Sequence, residues 1–318
     1  MSYTVSSYTL QSADGVTACA GIAVVPEDHP RLLLEISHGM AEHMQRYLPM
    51  MKAMAEHGIL CFGHEHAGHG SAARAQNALG YLPRRNGADI LVADICCDAA
   101  RFRSCYPDVP LILFGHSMGS FIARLAVTEA HNSHFDALTL SGTGYKNPLS
   151  GIGLGLLRLL CTVRGEHAIS PVMHKMIFGG YNNRFEKRTA FDWISSDPAA
   201  VDRYLADPLC GYPFTVSALY VLVSLLRACN LERTFYDTPH DLPIHLISGR
   251  DDPVGNYGVG VHAVADAYVD AGCTRVSHTL YTGARHELLN EPIAAQVIAD
   301  LLVWIDQTVN PSPERSPA

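Results

Sequence analysis

The segment Gly115-His116-Ser117-Met118-Gly119 constrains this chain more than any other. It follows the apolar run 111–114 and precedes a helix-like stretch, 121–130, so a strand has to turn sharply into a helix at Ser117. Glycines on both flanks remove the side chains that such a turn would drive together. Ser117 is therefore the candidate nucleophile. An ordinary glycine-rich strand-to-helix turn would look the same, so the pattern gains meaning only with a histidine, a carboxylate in the right chain order and an oxyanion loop upstream.

All three are present. The short strand-like run 242–247 stops at Ser248-Gly249-Arg250-Asp251-Asp252-Pro253, and the loop Thr282-Gly283-Ala284-Arg285-His286-Glu287 follows a second such run, 276–281. The order Ser, Asp, His is that of the α/β-hydrolase fold. In such a site His286 takes the proton of the Ser117 hydroxyl and returns it to the leaving alcohol, while the carboxylate holds the imidazole in one tautomer. Spacing from Gly249 favours Asp252 for that role, and Asp251 then caps the turn or binds Arg250. The oxyanion hole needs two backbone N–H donors. Met118, directly after the nucleophile, offers one, and Met40 offers the other if Gly39 lets the loop His38-Gly39-Met40-Ala41-Glu42-His43 turn inward after strand 32–37. His116 is read as an elbow residue that points away from the nucleophile, not as a base.

On these residues, together with Gly68-His69-Gly70, Gly249-x-x-Asp252 and His286-Glu287, the chain resembles the α/β-hydrolases grouped as monoacylglycerol lipases and lysophospholipases, also called the serine aminopeptidase-like hydrolases. The resemblance spans nearly the whole length. It implies Ser117, Asp252 and His286 as a catalytic triad, Met40 and Met118 as oxyanion donors, and hydrolysis of small acyl esters without a cofactor. Two positions depart from the family: Glu65 stands where Asp is usual before the Gly-His-Gly loop, and Met40 replaces the commoner Ala or Gly. The bulk of Met40 would narrow the pocket, which bears on substrate preference and not on the chemistry.

Strand-like segments at 17–25, 32–37, 59–63, 111–114, 137–141, 243–248 and 276–281 alternate with helical stretches such as 47–57 and 89–105, the pattern of a mainly parallel sheet flanked by helices. The polar segment 1–11 and the next strand, joined through Ala13-Asp14-Gly15, read as an antiparallel hairpin on one edge. The expected organisation is a hydrolase core at 1–141 and 242–310, a helical cap inserted at 142–241, and a Pro- and Ser-rich disordered tail at 311–318. Apolar candidates for lining the cap are Ile152, Leu154, Leu156, Leu157, Met173, Met176, Ile177, Phe178, Leu219, Leu222 and Val223. Of these, Ile152, Leu156, Met176, Phe178 and Leu222 are taken as substrate-binding.

A hydrophobic fraction of 48% over 318 residues suffices for a large core, and a net charge of −8 argues against a nucleic-acid partner. No stretch reaches the ~20 apolar residues of a spanning helix, since the greasiest, 152–163, contains Gly153, Gly155 and Arg158. With no basic leader and nine cysteines that lack metal-type spacing, a cytoplasmic enzyme is expected, with at most transient contact with lipid surfaces and an open oligomeric state. His64-x-His66-x-x-His69 invites a metal, but the H-x-H-x-D-H hydrolases need Asp where this chain has Gly68, so no metal is expected and the stretch is read as a turn after strand 59–63. Two other functions use the same fold. An aminopeptidase or amidase would need carboxylates for the substrate ammonium, for which Glu186, Asp192, Asp197, Asp202 and Asp207 are available; a non-catalytic binding protein is disfavoured by the filled catalytic positions.

Overall fold

Five runs of the chain are buried at every position, which marks strands covered on both faces. A computed structural model describes residues 2–131 and 134–309. In chain order its elements are β1 (Tyr3–Gln11), β2 (Ala18–Pro26), β3 (Leu32–Ser37), α1 (Leu48–Ala55), β4 (Ile59–His64), α2 (Gly70–Ala75), α3 (Gly87–Cys105), β5 (Leu111–His116), α4 (Met118–Ala126), β6 (Ala137–Ser141), α5 (Ser150–Arg164), α6 (Pro171–Phe178), α7 (Pro198–Ala206), α8 (Val216–Ala228), α9 (Glu232–Tyr236), β7 (Ile244–Gly249), α10 (Val259–Asp270), β8 (Val276–Tyr281) and α11 (Ala294–Val309). The tail at 311–318 lies outside the described residues.

The strands form one sheet in the order β1-β2-β4-β3-β5-β6-β7-β8. β1 and β2 make the expected edge hairpin, and β2 also meets β4 antiparallel; every other pairing is parallel. The hairpin closes because the Asp14 carboxylate accepts from the Val16 and Thr17 N–H groups while Gly15 takes a positive φ of 77°. Side chains alternate across each strand. Leu33, Leu60, Leu111 and Leu113 pack with α3, α4, α8 and α10, whereas Leu34, Ile36, Cys61 and Ile112 pack with α1 and α11. This is the α/β-hydrolase architecture. No helix among the described residues is long and apolar enough to cross a membrane.

Register places the site. Ser37 pairs with Gly115, His116 with Ser141, Ser141 with Ile247, and Gly249 with Tyr281, so the carboxyl ends of β3, β5, β6, β7 and β8 finish side by side. Loops leaving that edge converge on one crevice, the usual ligand position in an open α/β sheet. Differences from expectation are local. α4 starts at Met118 rather than 121, because the chain enters the helix as soon as the turn at Ser117 is complete. His64 is the last residue of β4, not part of the turn that follows.

Arg124 on α4 is among the largest fully buried side chains. Its guanidinium donates to Gly144 O at 3.1 Å, Cys229 O at 2.6 Å and Asn230 Oδ1 at 3.0 Å, joining α4 to the segments after β6 and α8. Removing it strands three buried acceptors and leaves a cavity. Arg124→Ala is expected to lower stability by ~3 kcal/mol or more, read as a fall in the urea midpoint with unchanged m.

Candidate active site

Ser117 sits at φ 52° and ψ −117°, a strained conformation for a residue with a side chain. Its surroundings impose it. A Cβ on Gly119 would fall 2.0 Å from Ser37 O, and one on Gly115 would fall 2.6 Å from Gly119 O, so only glycine permits α4 to approach β3 and β5 this closely. The Ser117 N–H donates to Ser141 O at 2.9 Å, which pins the turn to β6. Ser117 is half-buried and borders a cavity of about 780 Å³.

His286 borders the same cavity, and its Nδ1 lies 2.9 Å from Asp252 Oδ2. Asp252 is fully buried and also accepts from the Val254 N–H and the Ser248 hydroxyl, whereas Asp251 is exposed. The geometry therefore pairs Asp252, not Asp251, with the imidazole. A Cβ on Gly142 would come 2.9 Å from the His286 ring, so the end of β6 must be glycine for the ring to stand there. Burial alone would depress the His286 pKa, but the Asp252 charge and hydrogen bond, with help from Glu287, carry it above the ordinary value of 6.5.

The loop after β3 crosses directly over the serine. A Cβ on Gly39 would stand 3.3 Å from Ser117 Cβ, and Met40 lines the cavity beside it. The Gly39 N–H is already committed to Glu42 Oε1 at 2.5 Å. Met118, fully buried, is the first residue of α4, where backbone N–H groups have no intrahelical partner.

A set of histidines supports this loop from below. The His66 N–H donates to His38 Nε2 at 3.0 Å, so the His38 proton is on Nδ1, which donates to Gly39 O at 2.8 Å. Burial and mutual repulsion push His38 down to about 3, burial pushes His69 down to about 4, and His66 is likewise well below its usual range. These rings are neutral hydrogen-bonding spacers. Glu65, the residue that departs from the family pattern, is raised to about 8 by burial and accepts from the Met44 N–H.

Several participants escaped sequence reasoning. Arg46 donates to Glu42 Oε2 at 2.8 Å and, through both terminal nitrogens, to the Glu287 carboxylate at 2.7 and 2.5 Å. It thus fastens the loop over Ser117 to the loop that carries His286. Glu42 is held down to about 2: burial opposes ionisation, and Arg46, His116, His38 and the Tyr47 hydroxyl overcome it. The Glu42-to-Arg46 spacing of four was the available signal; the link to Glu287 had none. Trp193 packs against His286 with the rings tilted by 42° and 5.1 Å between centroids, and the Glu287 N–H donates to Ile194 O at 2.7 Å. His116 does not point away. Its ring lies 4.7 Å from that of His286, and burial together with His286 lowers it to about 4.

The candidate substrate contacts divide. Phe178 and Leu222 line the cavity, as do Ile177 and Val223. Ile152, Leu156 and Met176 do not: they are 64%, 39% and 61% exposed. On α5 the helical repeat turns Leu157 and Cys161 inward and leaves Ile152, Leu156, Leu159 and Val163 on the outer stripe.

Comparison with known proteins agrees with this architecture. Residues 28–293 match the family model described as serine aminopeptidase, S33. The monoglyceride lipase of Homo sapiens is 26% identical over 92% of this chain and 88% of its own length. The monoacylglycerol lipase of Mycolicibacterium smegmatis is 26% identical over 88% and 90%. A thermostable carboxyl esterase from Bacillus coagulans, solved in complex with glycerol, superposes with a TM-score of 0.91 at 29% identity, covering 97% of this chain and all of that one.

The opposite shifts of two touching imidazoles are measurable. In an NMR titration of the histidine rings, His286 is expected to protonate above pH 6.5 as pH falls, and His116 only near 4. Glu287→Gln removes a negative charge that favours the imidazolium, so the His286 midpoint should drop. An unmoved midpoint would show that the ring does not feel Glu287.

Proposed function

The chain belongs to the serine aminopeptidase, S33, family of α/β-hydrolases and is an ester hydrolase, and we propose that it cleaves small acyl lipids of the monoacylglycerol or lysophospholipid type through an acyl-enzyme on Ser117. The observation that carries this reading is one cavity of about 780 Å³ that joins Ser117 and His286 to an apolar wall of Phe121, Ile177, Phe178, Leu222, Val223 and Leu226. Its volume falls in the ~300–1,000 Å³ range of ligand pockets. An acyl chain lies along that wall. The relatives named monoglyceride lipase and the glycerol bound to the Bacillus coagulans esterase support the same substrate class.

The chemistry runs as acyl transfer. His286 Nε2 removes the proton as Ser117 Oγ attacks the ester carbonyl; Asp252, accepting from Nδ1, fixes the tautomer and stabilises the imidazolium. The Met40 and Met118 N–H groups receive the oxyanion, each worth about 3 kcal/mol in the transition state. His286 then protonates the departing alcohol, and water repeats the cycle on the acyl-enzyme. Residues 142–241, which carry α5 to α9, act as the cap over this cavity.

An exopeptidase is the weaker reading. Glu186 pairs with Arg285, Asp202 with Arg188, Asp207 with His43, Asp197 caps α7, and Asp192 accepts from Thr189. None of the five lines the cavity, so none is placed to hold a substrate ammonium beside Ser117. The outer stripe of α5, with Val172 and Met176 of α6, offers an apolar face for transient docking on lipid aggregates. Nine free cysteines fit a reducing, cytoplasmic setting.

Labelling with a fluorophosphonate probe is the direct test: wild type should label and Ser117→Ala should not, while remaining folded. Asp252→Asn should lower kcat by on the order of 10⁴. p-Nitrophenyl esters of graded length should show rising kcat/KM into the medium and long chains; a preference for acetate would remove the acyl-lipid reading. Leu159→Glu should slow hydrolysis of vesicle-borne monoacylglycerol and spare soluble esters.

A further inference from the structure

A second cluster of ionisable groups lies between the sheet and α3, on residues the acyl-transfer chemistry does not use. Glu35 is in the middle of β3, flanked by Phe62 of β4 and Leu113 of β5. His64 ends β4, and Asp98 comes from α3. All three are fully buried. Oxygens of Glu35 and Asp98 and a ring nitrogen of His64 lie within 4.8 Å of one another. Ligand atoms around a tetrahedral zinc with bonds of ~2.0–2.2 Å lie ~3.4 Å apart, so the three side chains have to draw in by about an ångström to close on an ion.

The cluster is short of partners. Asp98 Oδ2 takes His64 Nδ1 at 2.9 Å and the Tyr8 hydroxyl from β1. Both oxygens of Glu35, Asp98 Oδ1 and His64 Nε2 have no hydrogen-bond partner among the described residues. Nor does any lysine or arginine among them form an ion pair with either carboxylate. Asp98 has His64 and Tyr8, but a buried acid with neither hydrogen bond nor counter-charge, as Glu35 is, is among the most expensive groups a fold can hold.

We propose that Glu35, His64 and Asp98 are the protein ligands of a structural divalent metal ion, zinc by donor chemistry, bound between β3, β4 and α3. Two carboxylates and a neutral imidazole offer a charge of −2, which one divalent cation cancels. A mixed nitrogen and oxygen donor set suits zinc better than magnesium or calcium, which prefer oxygen alone. The Tyr8 hydroxyl, bonded to Asp98, is the outer group that orients a ligand and ties the edge hairpin to the site. His64 thus serves a different site from the one its H-x-H spacing suggests, with His66 and His69 left to support the loop over Ser117. The ion takes no part in acyl transfer.

The test is elemental analysis of tag-free full-length protein, refolded from denaturant once with zinc and once with a chelator, then desalted. About one zinc per chain in the first sample, a higher melting temperature than in the second, and at least a tenfold loss of bound zinc in Glu35→Gln with esterase kcat unchanged would support the site. Manganese or magnesium retained in place of zinc would overturn the assignment of the ion. Wild type with no retained metal, melting at the same temperature in both samples, would overturn the site itself. So would a Glu35→Gln chain that binds as much zinc as wild type.

Discussion

The close approach of α4 to the end of β3 is the constraint from which the site follows. With no side chain at 119, the helix backbone comes against Ser37 O and His38 O, and the chain between β5 and α4 has no room for an ordinary turn. Ser117 absorbs the mismatch in its positive φ. The strain is local, of the order of 1–3 kcal/mol, and the buried sheet on one side and α4 on the other hold it in place. The same approach brings the loop after β3 against Ser117 at the start of α4. Ser117 and the loop above it are thus positioned by one backbone contact, independently of the histidine.

Bringing the histidine into register is a separate problem, because its loop leaves the far side of β8. Arg46 solves it electrostatically. A guanidinium buried between Glu42 and Glu287 ties together segments 241 positions apart, with several charge-assisted bonds in fixed directions. Glu42 in turn holds the Gly39 N–H and the Tyr47 hydroxyl, so the charge reaches the backbone of the loop over Ser117. Trp193 then closes on the outer face of His286. Desolvation by that ring would lower the imidazole's affinity for protons; Asp252 and Glu287 reverse the effect. The imidazole is buried and still more readily protonated than a free one.

The strands, the elbow and the loop histidine were legible in sequence because each depends on local chemistry: apolar runs of strand length, glycines where no Cβ fits, turn residues at strand ends. Asp251 and Asp252 are adjacent, and the fold separates them by burying one and exposing the other. Periodicity on α5 was visible too, but it cannot tell which of two apolar stripes faces inward. Leu157 sits in the core, while Ile152 and Leu156 lie outside. Arg46 carried no sign of its partner, since an ion pair across 241 positions leaves no spacing to find. The three histidines of 64–69 carried an ambiguous sign: their rings stay in edge contact, at 5.6 and 6.2 Å between centroids, but His64 bonds Asp98 while His66 and His69 pack on His38.

Treatment of buried charge differs between the two faces of this region. Beside the cavity, Glu42 and Glu287 share Arg46, and Asp252 faces His286, so each acid has a counter-charge or a titratable imidazole as partner. Near the hairpin, Asp94 is satisfied by the Ser12 hydroxyl and the Ala13 N–H. Glu35 alone among these acids receives neither charge nor hydrogen bond, although it stands on a central strand where an apolar side chain would pack without cost. A protonated carboxyl there would still leave two polar atoms unmet, a penalty of ~1–3 kcal/mol that an isosteric apolar residue avoids. An acid at that position is therefore explained by what it binds, and a cation shared with Asp98 and His64 is the partner that its charge and surroundings specify.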